Sequence, residues 1–373
     1  MYVDQFGSTV RTATETVVYA APPSSEAPPA ATTAAADVNT ETPKVVFSPI
    51  SVEEPASSSS PQPETPLPEP TPSEQKPTPT SAVESSKSSV KPSPTPDVPP
   101  PSDGGNLHGV AYSPYKSGGG CKSSQEVQDD FALFAKDHGI IRLYGVDCDQ
   151  VASVYAAAKE YDNKLFLGIF DISQSAIQEA VSAMAAGVNN DWGIVDTVSV
   201  GNELVNSGQA SPAQVVTALG QARAALKSAG YDGPVVIVDT FVAAQAHPEI
   251  CEASDYCAVN IHPFFDPNTS AGDAGKFVTT TVGNIRSKLS SNKRIVVTET
   301  GWPWQGDSNG AAVPGMDQQT KALSSIKSAY SDKPGDVILF TAFNDLWKKA
   351  ESGTFMAEQF WGMGGRYSPA DKQ

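Results

Sequence analysis

Eight short apolar segments recur along residues 106–373, and amphipathic helical patterns separate most of them. Strands that alternate with helices pair in parallel through right-handed crossovers. Eight such units in about 250 residues are typical of a closed barrel. We therefore predict an α/β fold in which residues 106–373 form a (β/α)8 TIM barrel. The predicted strands are Gly109–Tyr115, Ile140–Val146, Leu165–Phe170, Thr197–Val200, Val235–Val238, Tyr256–Ile261, Ile295–Thr298 and Val337–Phe343.

A long segment of different composition precedes the predicted barrel. Residues 1–105 are rich in Pro, Ser, Thr and Ala, and roughly two-thirds of the 31 prolines fall within residues 21–105. Such a composition buries too little apolar surface to offset the entropy lost on ordering, so we predict a disordered segment. It is also the composition of O-glycosylated stalks, with an unmodified linker as the alternative. The chain thus divides into a stalk, residues 1–105, and a globular domain, residues 106–373.

The N-terminus and the net charge restrict the location and the partners. The first residues lack the basic region and the apolar core of a signal peptide. Either the protein is cytosolic or its true N-terminus is missing from this sequence, and the stalk favours a secreted or wall-attached protein. The formal net charge of −17 argues against binding to nucleic acid or to an anionic membrane. No apolar run is long enough to span a bilayer, and we predict a monomer.

Four cysteines fall within the predicted barrel domain. An even number suits two disulfides in an oxidising compartment, with free buried thiols as the alternative. Three pairings are possible. Cys121–Cys148 and Cys251–Cys257 are favoured because each joins neighbouring segments.

Two glutamates each follow a predicted strand. Glu203 ends the run VSVGNE after the fourth strand, and Glu299 ends VVTE after the seventh. Because active sites of such barrels lie at the carboxyl ends of the strands, we expect both acids in one site. Glycoside hydrolysis needs two carboxyl groups, one to protonate the leaving oxygen and one to meet the oxocarbenium ion. Trp302 and Trp304 fit this chemistry as sugar-stacking rings, with two core tryptophans beside a strand-capping glutamate as the alternative.

The other strand ends are rich in acids and aromatic rings. Such a lining suits a neutral polyol better than a phosphate, which would need Lys, Arg and a glycine loop. For His262, contact with a ligand and packing in the core are equally compatible with the sequence. The strand-end residues are Tyr115, Tyr144, Asp147, Phe170, Asp171, Asn202, Glu203, His262, Phe264, Phe265, Glu299, Trp302, Asp345, Trp347 and Lys348.

Other motifs carry less weight. The four histidines show no metal-ligand spacing, so we predict neither a metal nor a cofactor. Gly306–Gly310 fits the G-x-S-x-G esterase pattern, but Ser308 lies in a polar loop and no histidine follows it. Asn268 begins an Asn-Thr-Ser sequon, which is a candidate N-glycosylation site if the protein is secreted.

The sequence resembles glycoside hydrolase family 17, the β-1,3-glucanases, and within it the fungal cell-wall members with a Ser/Thr/Pro-rich N-terminal stalk. The likeness covers residues 106–373, and its most specific motifs are VGNE at Glu203 and TETGWP at Glu299. Further matches are GVAYSPY, RLYG, VNIHPFF, FNDLWK and EQFWG. The resemblance implies a retaining enzyme that acts on β-1,3-glucan of the cell wall, by hydrolysis or by transglycosylation.

The resemblance also implies roles for individual residues. Glu203 would be the acid/base and proton donor, and Glu299 the nucleophile. Asp345 is one methylene shorter than the glutamate usual in plant members, and Trp304 replaces a small polar residue. The implied substrate-binding residues are Asn202, Tyr144, His262, Phe264, Trp302, Asp345 and Lys348.

Two alternative functions stay open at this point. An exo-acting β-glucosidase would have a closed pocket in place of a groove. A non-catalytic glucan-binding wall mannoprotein or adhesin would suit the stalk, although the presence of both glutamates argues for catalysis. A β-glucan polysaccharide or oligosaccharide is the expected partner.

Overall fold

Eight parallel strands close into a barrel in the computed structural model, which describes residues 2–3, 9–11 and 106–371. The order of the strands around the barrel follows the chain, and the last strand pairs with the first. The strands are β1 (Gly109–Ala111), β2 (Ile140–Arg142), β3 (Lys164–Ile169), β4 (Val195–Asn202), β5 (Val235–Thr240), β6 (Cys257–Asn260), β7 (Ile295–Thr300) and β8 (Val337–Leu339).

The predicted stalk lies outside the described residues, except for a short antiparallel pair between Tyr2–Val3 and Thr9–Arg11. Its disorder and glycosylation therefore stay predictions.

At least one helix lies between each pair of consecutive strands. Ser123 and Ser211 begin two of these helices, and each hydroxyl accepts a backbone N–H three residues on, in a reciprocal capping box. No helix within residues 106–371 is long and apolar enough to cross a membrane. The helices are α1 (Ser124–Phe134), α2 (Gln150–Glu160), α3 (Gln174–Gly187), α4 (Pro212–Ser228), α5 (Phe241–Ala246), α6 (Glu249–Ala253), α7 (Ala274–Arg286) and α8 (Met316–Ala329).

Two apolar layers fill the fold. Alternate side chains of the strands, such as Phe166, Val236 and Ile338, form a small cluster inside the barrel. The intervening side chains pack outward against the helices in a much larger cluster. The interior cluster ends below Arg142, so polar side chains occupy the carboxyl end of the barrel.

The predicted barrel is confirmed, with corrections at the strand ends. β1, β2 and β8 end at Ala111, Arg142 and Leu339, whereas the predicted segments extend to Tyr115, Val146 and Phe343. The apolar runs overshoot because residues just beyond the strands stay buried, as Tyr112 and Leu143 do. Their N–H groups still donate to the neighbouring strand, to Arg142 at 3.0 Å and to Phe166 at 2.8 Å, but the regular pairing ends there. The short helices α5 and α6 were not predicted.

Both favoured disulfides are confirmed. Cys121–Cys148 joins the segment after β1 to the β2–α2 connection, and Cys251–Cys257 joins α6 to β6. All four cysteines of the chain are therefore paired.

The C-terminal segment packs onto the first helix through a buried carboxylate. Asp130 of α1 is fully buried, and its Oδ1 accepts a hydrogen bond from the hydroxyl of Ser368 at 2.6 Å. Its Oδ2 accepts from Lys122 Nζ at 2.7 Å and from the Tyr112 hydroxyl at 2.6 Å. One side chain therefore ties residue 368 to the start of the barrel.

Candidate active site

The carboxyl ends of the strands surround a cavity of about 910 Å³. Barrel enzymes place their active sites at this end. The cavity therefore brings together residues that are far apart in the chain. Six of the nine predicted catalytic and substrate-binding residues line it: Tyr144, Asn202, Glu203, His262, Glu299 and Lys348.

Glu299, near the end of β7, is held by three polar side chains. Its Oε1 accepts hydrogen bonds from Arg142 Nη1 at 2.8 Å and from the Tyr144 hydroxyl at 2.9 Å. Its Oε2 lies 3.0 Å from His262 Nε2. Burial alone would raise the pKa of Glu299, but the charge of Arg142 and the contacts of His262 and Tyr144 lower it to about 2. Glu299 is therefore ionised at neutral pH, the form that a nucleophile requires.

Glu203 follows β4 in a backbone turn that few residues adopt. Its φ is +57° and that of Gly201 is +73°, both in the left-handed region. The Glu203 N–H donates to the carbonyl oxygen of Val238 on β5 at 3.0 Å, which holds the turn against the neighbouring strand. The turn places the Glu203 carboxyl in the cavity wall.

The surroundings of Glu203 favour its protonated form. Burial is the largest cause, and the charge of Glu299 adds to it, so the pKa of Glu203 rises from 4.5 to about 7. Among the described residues its carboxyl receives one hydrogen bond, from the neutral amide of Asn260 at 2.8 Å. Two carboxyl groups whose pKa values move apart in one site are typical of an acid and a nucleophile.

A buried guanidinium links strands beneath the cavity. Arg142, at the end of β2, donates from Nη1 to Glu299 and to the Thr298 carbonyl oxygen on β7. Its Nη2 donates to Asn202 Oδ1 on β4 at 2.8 Å. Arg142 is 1% exposed, so its charge is available to these partners with little screening by water.

Asn260 of β6 completes this network. Its Nδ2 donates to Glu203 and, at 3.2 Å, to Asn202, and its Oδ1 accepts from the Thr298 hydroxyl at 2.8 Å. Neither Arg142 nor Asn260 was assigned a role from the sequence. The signal that could have found them is a charged or amide side chain at the end of an otherwise apolar strand.

A second cation lines the cavity beside β8. Lys348 Nζ lies 3.3 Å from Asp345 Oδ2 and 3.7 Å from Glu358 Oε2. Burial alone would lower the pKa of Lys348, but these two carboxylates raise it. Asp345 is 5% exposed and does not line the cavity. It contacts Lys348 and, through the indole N–H at 3.2 Å, Trp347, so its effect on a ligand is indirect.

Phe264 and Trp302 do not line the cavity, which corrects the prediction that both contact sugar. Both side chains are fully buried, and their rings pack edge to face with centroids 5.4 Å apart. The Trp302 indole N–H donates to the Val313 carbonyl oxygen at 2.9 Å. Phe265 and Trp361 line the cavity instead.

Two aromatic rings in the cavity wall are well exposed. Phe170, after β3, is 61% exposed and Trp347, after β8, is 39% exposed. The Trp347 ring packs edge to face on Tyr115 at 5.0 Å between centroids. Exposed rings in a cavity that also contains carboxyl groups offer stacking surfaces for sugar faces.

The candidate N-glycosylation site lies on a surface loop. Asn268 is exposed, whereas Thr269 of the same sequon is buried and its hydroxyl donates to Asp266. Elsewhere in residues 106–371, no group of three or more His, Cys, Asp or Glu side chains could hold a metal ion.

The barrel matches a known protein family. The family model described as "BtgE/BtgC glycoside hydrolase domain" matches residues 109–362. The chain belongs to this family. The BtgE/BtgC match spans all eight strands and both glutamates, and it confirms the prediction of a glycoside hydrolase.

Curated relatives of this BtgE/BtgC domain are fungal. The chain is 45% identical over 261 residues to "Cell surface mannoprotein MP65" of Candida albicans, covering 69% of this chain and 67% of that protein. It is 45% identical over 259 residues to "Probable family 17 glucosidase SCW4" of Saccharomyces cerevisiae, covering 69% and 65%. It is 34% identical over 267 residues to "Probable beta-glucosidase btgE" of Aspergillus terreus, covering 70% and 46%. These relatives confirm the family 17 resemblance, and the chain spans only part of their length.

Solved structures share the fold. The family 17 β-1,3-glucanosyltransferase from Rhizomucor miehei has a TM-score of 0.58 at 18% identity, covering 72% of this chain and 97% of that one. An endo-laminarinase from Formosa Hel1_33_131 also has a TM-score of 0.58 at 18% identity, covering 69% and 82%. At such identities the likeness shows the fold alone.

Proposed function

We propose that this protein is a retaining glycoside hydrolase that acts on β-1,3-glucan of the fungal cell wall, by hydrolysis, transglycosylation or both. One observation carries the proposal. Two carboxyl groups share a cavity at the carboxyl end of the barrel, and Arg142 contacts Glu299. Within residues 106–371, only the neutral amide of Asn260 donates to the Glu203 carboxyl. Glu299 is then the nucleophile and Glu203 the acid/base.

The mechanism follows from these environments. An oxygen of Glu299 attacks the anomeric carbon while the bond to the leaving oxygen breaks, and Glu203 gives its proton to that oxygen. Glu203, now ionised, removes a proton from water or from a sugar hydroxyl. The oxygen thus activated attacks the same carbon and releases Glu299. Two displacements at one carbon retain the anomeric configuration.

Neighbouring polar groups suit a neutral sugar at this site. Asn202 Oδ1 accepts hydrogen bonds from Arg142 and Asn260. The N–H groups of the same amide can therefore donate to the sugar 2-hydroxyl. Tyr144, His262 and Lys348 add further polar contacts in the cavity wall. The exposed rings of Phe170 and Trp347 are suited to stacking on glucosyl units.

The β-1,3-glucan substrate and the cell-wall location rest on the names of relatives. The Candida relative is named a cell surface mannoprotein, and the Rhizomucor structure a β-1,3-glucanosyltransferase. We further propose that residues 1–105 form an O-glycosylated stalk for residues 106–373. We also propose that the enzyme acts as a monomer; one chain supplies both carboxyl groups and the cavity around them.

The test is a product profile of the full chain with a defined β-1,3-gluco-oligosaccharide, sized over time and followed by NMR at the new anomeric centre. Retained configuration with shorter or longer products is expected, and longer products identify transglycosylation. Glu299→Gln and Glu203→Gln should each lower turnover by about 10³-fold or more. The matched control is Glu179→Gln, an exposed carboxyl on the cavity rim.

Other outcomes would redirect the assignment. Glucose as the sole product would favour an exo-acting β-glucosidase, the activity named for the Aspergillus relative. Inverted configuration would overturn the assignment of Glu299 as nucleophile. No turnover by a folded chain that still binds glucan would place a non-catalytic wall mannoprotein first.

A further inference from the structure

Asp239, at the end of β5, is a buried carboxylate that the mechanism above does not use. It is 1% exposed, and no ion pair to it exists within residues 106–371. Its oxygens accept three backbone N–H groups, from Val205 at 2.8 Å, Asn206 at 3.2 Å and Thr240 at 2.8 Å. A buried charge persists only with such partners, so these three contacts fix its position.

The three N–H groups belong to two walls of the cavity. Val205 and Asn206 follow Glu203 almost directly, and Asn206 lines the cavity. Thr240 is the N-cap of α5 and also lines the cavity. One carboxylate therefore joins the turn that carries Glu203 to the start of α5.

The turn needs such support because its backbone is strained. A non-glycine residue with φ of +57°, as at Glu203, costs energy and persists only where surrounding contacts hold it. The hydrogen bond from the Glu203 N–H to the Val238 carbonyl oxygen holds the turn against β5. The Asp239 contacts hold the turn from its other side, at Val205 and Asn206.

We propose that Asp239 is the positioning residue for the acid/base Glu203, because it fixes the turn that aims the Glu203 carboxyl at the leaving oxygen. The inference rests on the proposed function. Asp239 matters for only one of the two carboxyl groups. Both proton transfers by Glu203 depend on Asp239, whereas the attack by Glu299 does not. Glu299 is held by Arg142 on β2, and by Tyr144 and His262 in the segments that follow β2 and β6.

The test compares Asp239→Asn with the wild-type full chain on two substrates. Asparagine keeps the shape but can accept at only one of its two terminal atoms, so the turn loses at least one tie. Turnover of a β-1,3-gluco-oligosaccharide should fall by roughly 10–100-fold, since a displacement of about 1 Å has that effect. With a 2,4-dinitrophenyl β-laminarioligoside, whose leaving group needs no proton, the burst of dinitrophenolate should keep the wild-type rate.

Azide supplies a second readout. It attacks the glycosyl-enzyme without needing a base, so it should restore steady-state turnover of the dinitrophenyl substrate by Asp239→Asn.

The pH profile of Asp239→Asn turnover should also differ from that of the wild type. Glu203 lies among Glu299, His262 and Asp239, and the charge of Asp239 adds to the rise in its pKa. Burial raises the pKa of Asp239 itself, while its three backbone N–H contacts and the charge of His247 oppose that rise. Without the Asp239 charge, the basic limb of the profile should move to lower pH.

The matched control is Asp255→Asn. Asp255 also accepts a backbone N–H of β5, from Val235 at 2.7 Å, and pairs with Arg223, but at the other end of the strand. Its oligosaccharide turnover should stay within about twofold of wild type, because a contact at that end does not reach the site. If Asp239→Asn does not fold, Asp239→Glu keeps the charge, moves the acceptor by one methylene and should show the same substrate pattern.

The outcomes separate the two proposals. A burst slowed as much as oligosaccharide turnover would mean a general structural role and overturn the assignment of Asp239. Wild-type behaviour of Asp239→Asn on both substrates would overturn it as well, with the proposed function intact. A wild-type chain that cleaves neither substrate would overturn the proposed function and this inference with it.

Discussion

Within the described part of the chain, the Glu299 carboxylate contacts three polar side chains, one of them a cation, whereas the Glu203 carboxyl receives one hydrogen bond, from a neutral amide. This difference separates the pKa values of two identical side chains, to about 2 and about 7. Turnover by the proposed mechanism needs Glu299 ionised and Glu203 protonated. Activity should therefore fall as the pH rises through about 7.

The same pKa shift predicts how stability depends on pH. Between pH 4.5 and 7 the unfolded chain loses the Glu203 proton while the folded chain keeps it, so rising pH favours unfolding. This destabilisation is absent below pH 4.5 and complete above about pH 7. A shift of that size corresponds to roughly 3–4 kcal/mol. Glu203→Gln cannot ionise, so it should be more stable than wild type by that amount above pH 7.

Urea unfolding of both chains at pH 4, 5.5 and 7.5 measures the difference. The gap between Glu203→Gln and wild type should grow with pH and vanish at pH 4. Glu179→Gln, an exposed position on the same cavity, should show a gap that does not vary. If the difference in free energy of unfolding between Glu203→Gln and wild type did not vary with pH, the pKa of Glu203 would not be raised in the folded protein.

The sequence revealed the two acids but not the groups that tune them. Glu203 and Glu299 could be predicted because each ends an apolar strand. Arg142 contacts Glu299 across 157 positions of the chain and Asn260 contacts Glu203 across 57. Such contacts depend on barrel closure, which a local pattern does not contain. Phe264 was misplaced because the short turn Pro263–Phe265 directs it inward.

At the scale of elements, hydrophobic pattern predicted the number and order of the strands better than their lengths. Burial continues past the last regular residues of β1 and β2, at Tyr112 and Leu143, whose N–H groups still bond to the neighbouring strand. The helices α5 and α6 have six and five residues. One or two turns are too short to show a helical period, so they were missed.

The packing of β7 against β8 predicts the effect of one glycine. A Cβ at Gly301, just after β7, would overlap the carbonyl oxygen of Phe340, which is backbone and cannot move aside easily. We expect Gly301→Ala to lower the free energy of unfolding by about 1–3 kcal/mol or more. It should also lower turnover, because Glu299 lies two residues earlier.

Gly220→Ala is the matched control for this substitution. Gly220 lies within α4 with no atom within 4 Å of the added Cβ, so alanine there should stabilise the protein by roughly 0.5–1 kcal/mol. Thermal unfolding of both variants gives the comparison. Equal effects at the two positions would contradict the close approach of β7 and β8.

At the scale of the whole molecule, both the first strand of the barrel and the segment that follows its last strand are part of the packed fold. Residues 109–110 pair with β8 to close the barrel. Ser368 is fully buried against Asp130, and the Arg366 carbonyl oxygen accepts the Asn344 N–H at 2.8 Å. The segment after residue 362, where the family match ends, is therefore part of the packed fold.

Two truncations should have opposite results. Removal of residues 1–105 should leave thermal stability and turnover of the barrel unchanged. Removal of the residues after 362 should lower the free energy of unfolding by at least about 1–3 kcal/mol, since the buried Asp130 loses a donor. Asp371→Ala removes only an exposed contact with the Ser117 N–H and serves as control. A stable, fully active chain ending at residue 362 would contradict the packing of Ser368.

Arg142 has a consequence for how this barrel could be changed by evolution or by design. Its guanidinium, on β2, contacts side chains or backbone of β4, β6 and β7. The loops above it can be exchanged one at a time. The polar residues around it are expected to change together, because a change to any one leaves the buried guanidinium with one hydrogen-bond partner fewer. New substrate specificities on this barrel should therefore arise from changes in the loops, while Arg142 and its polar partners stay the same.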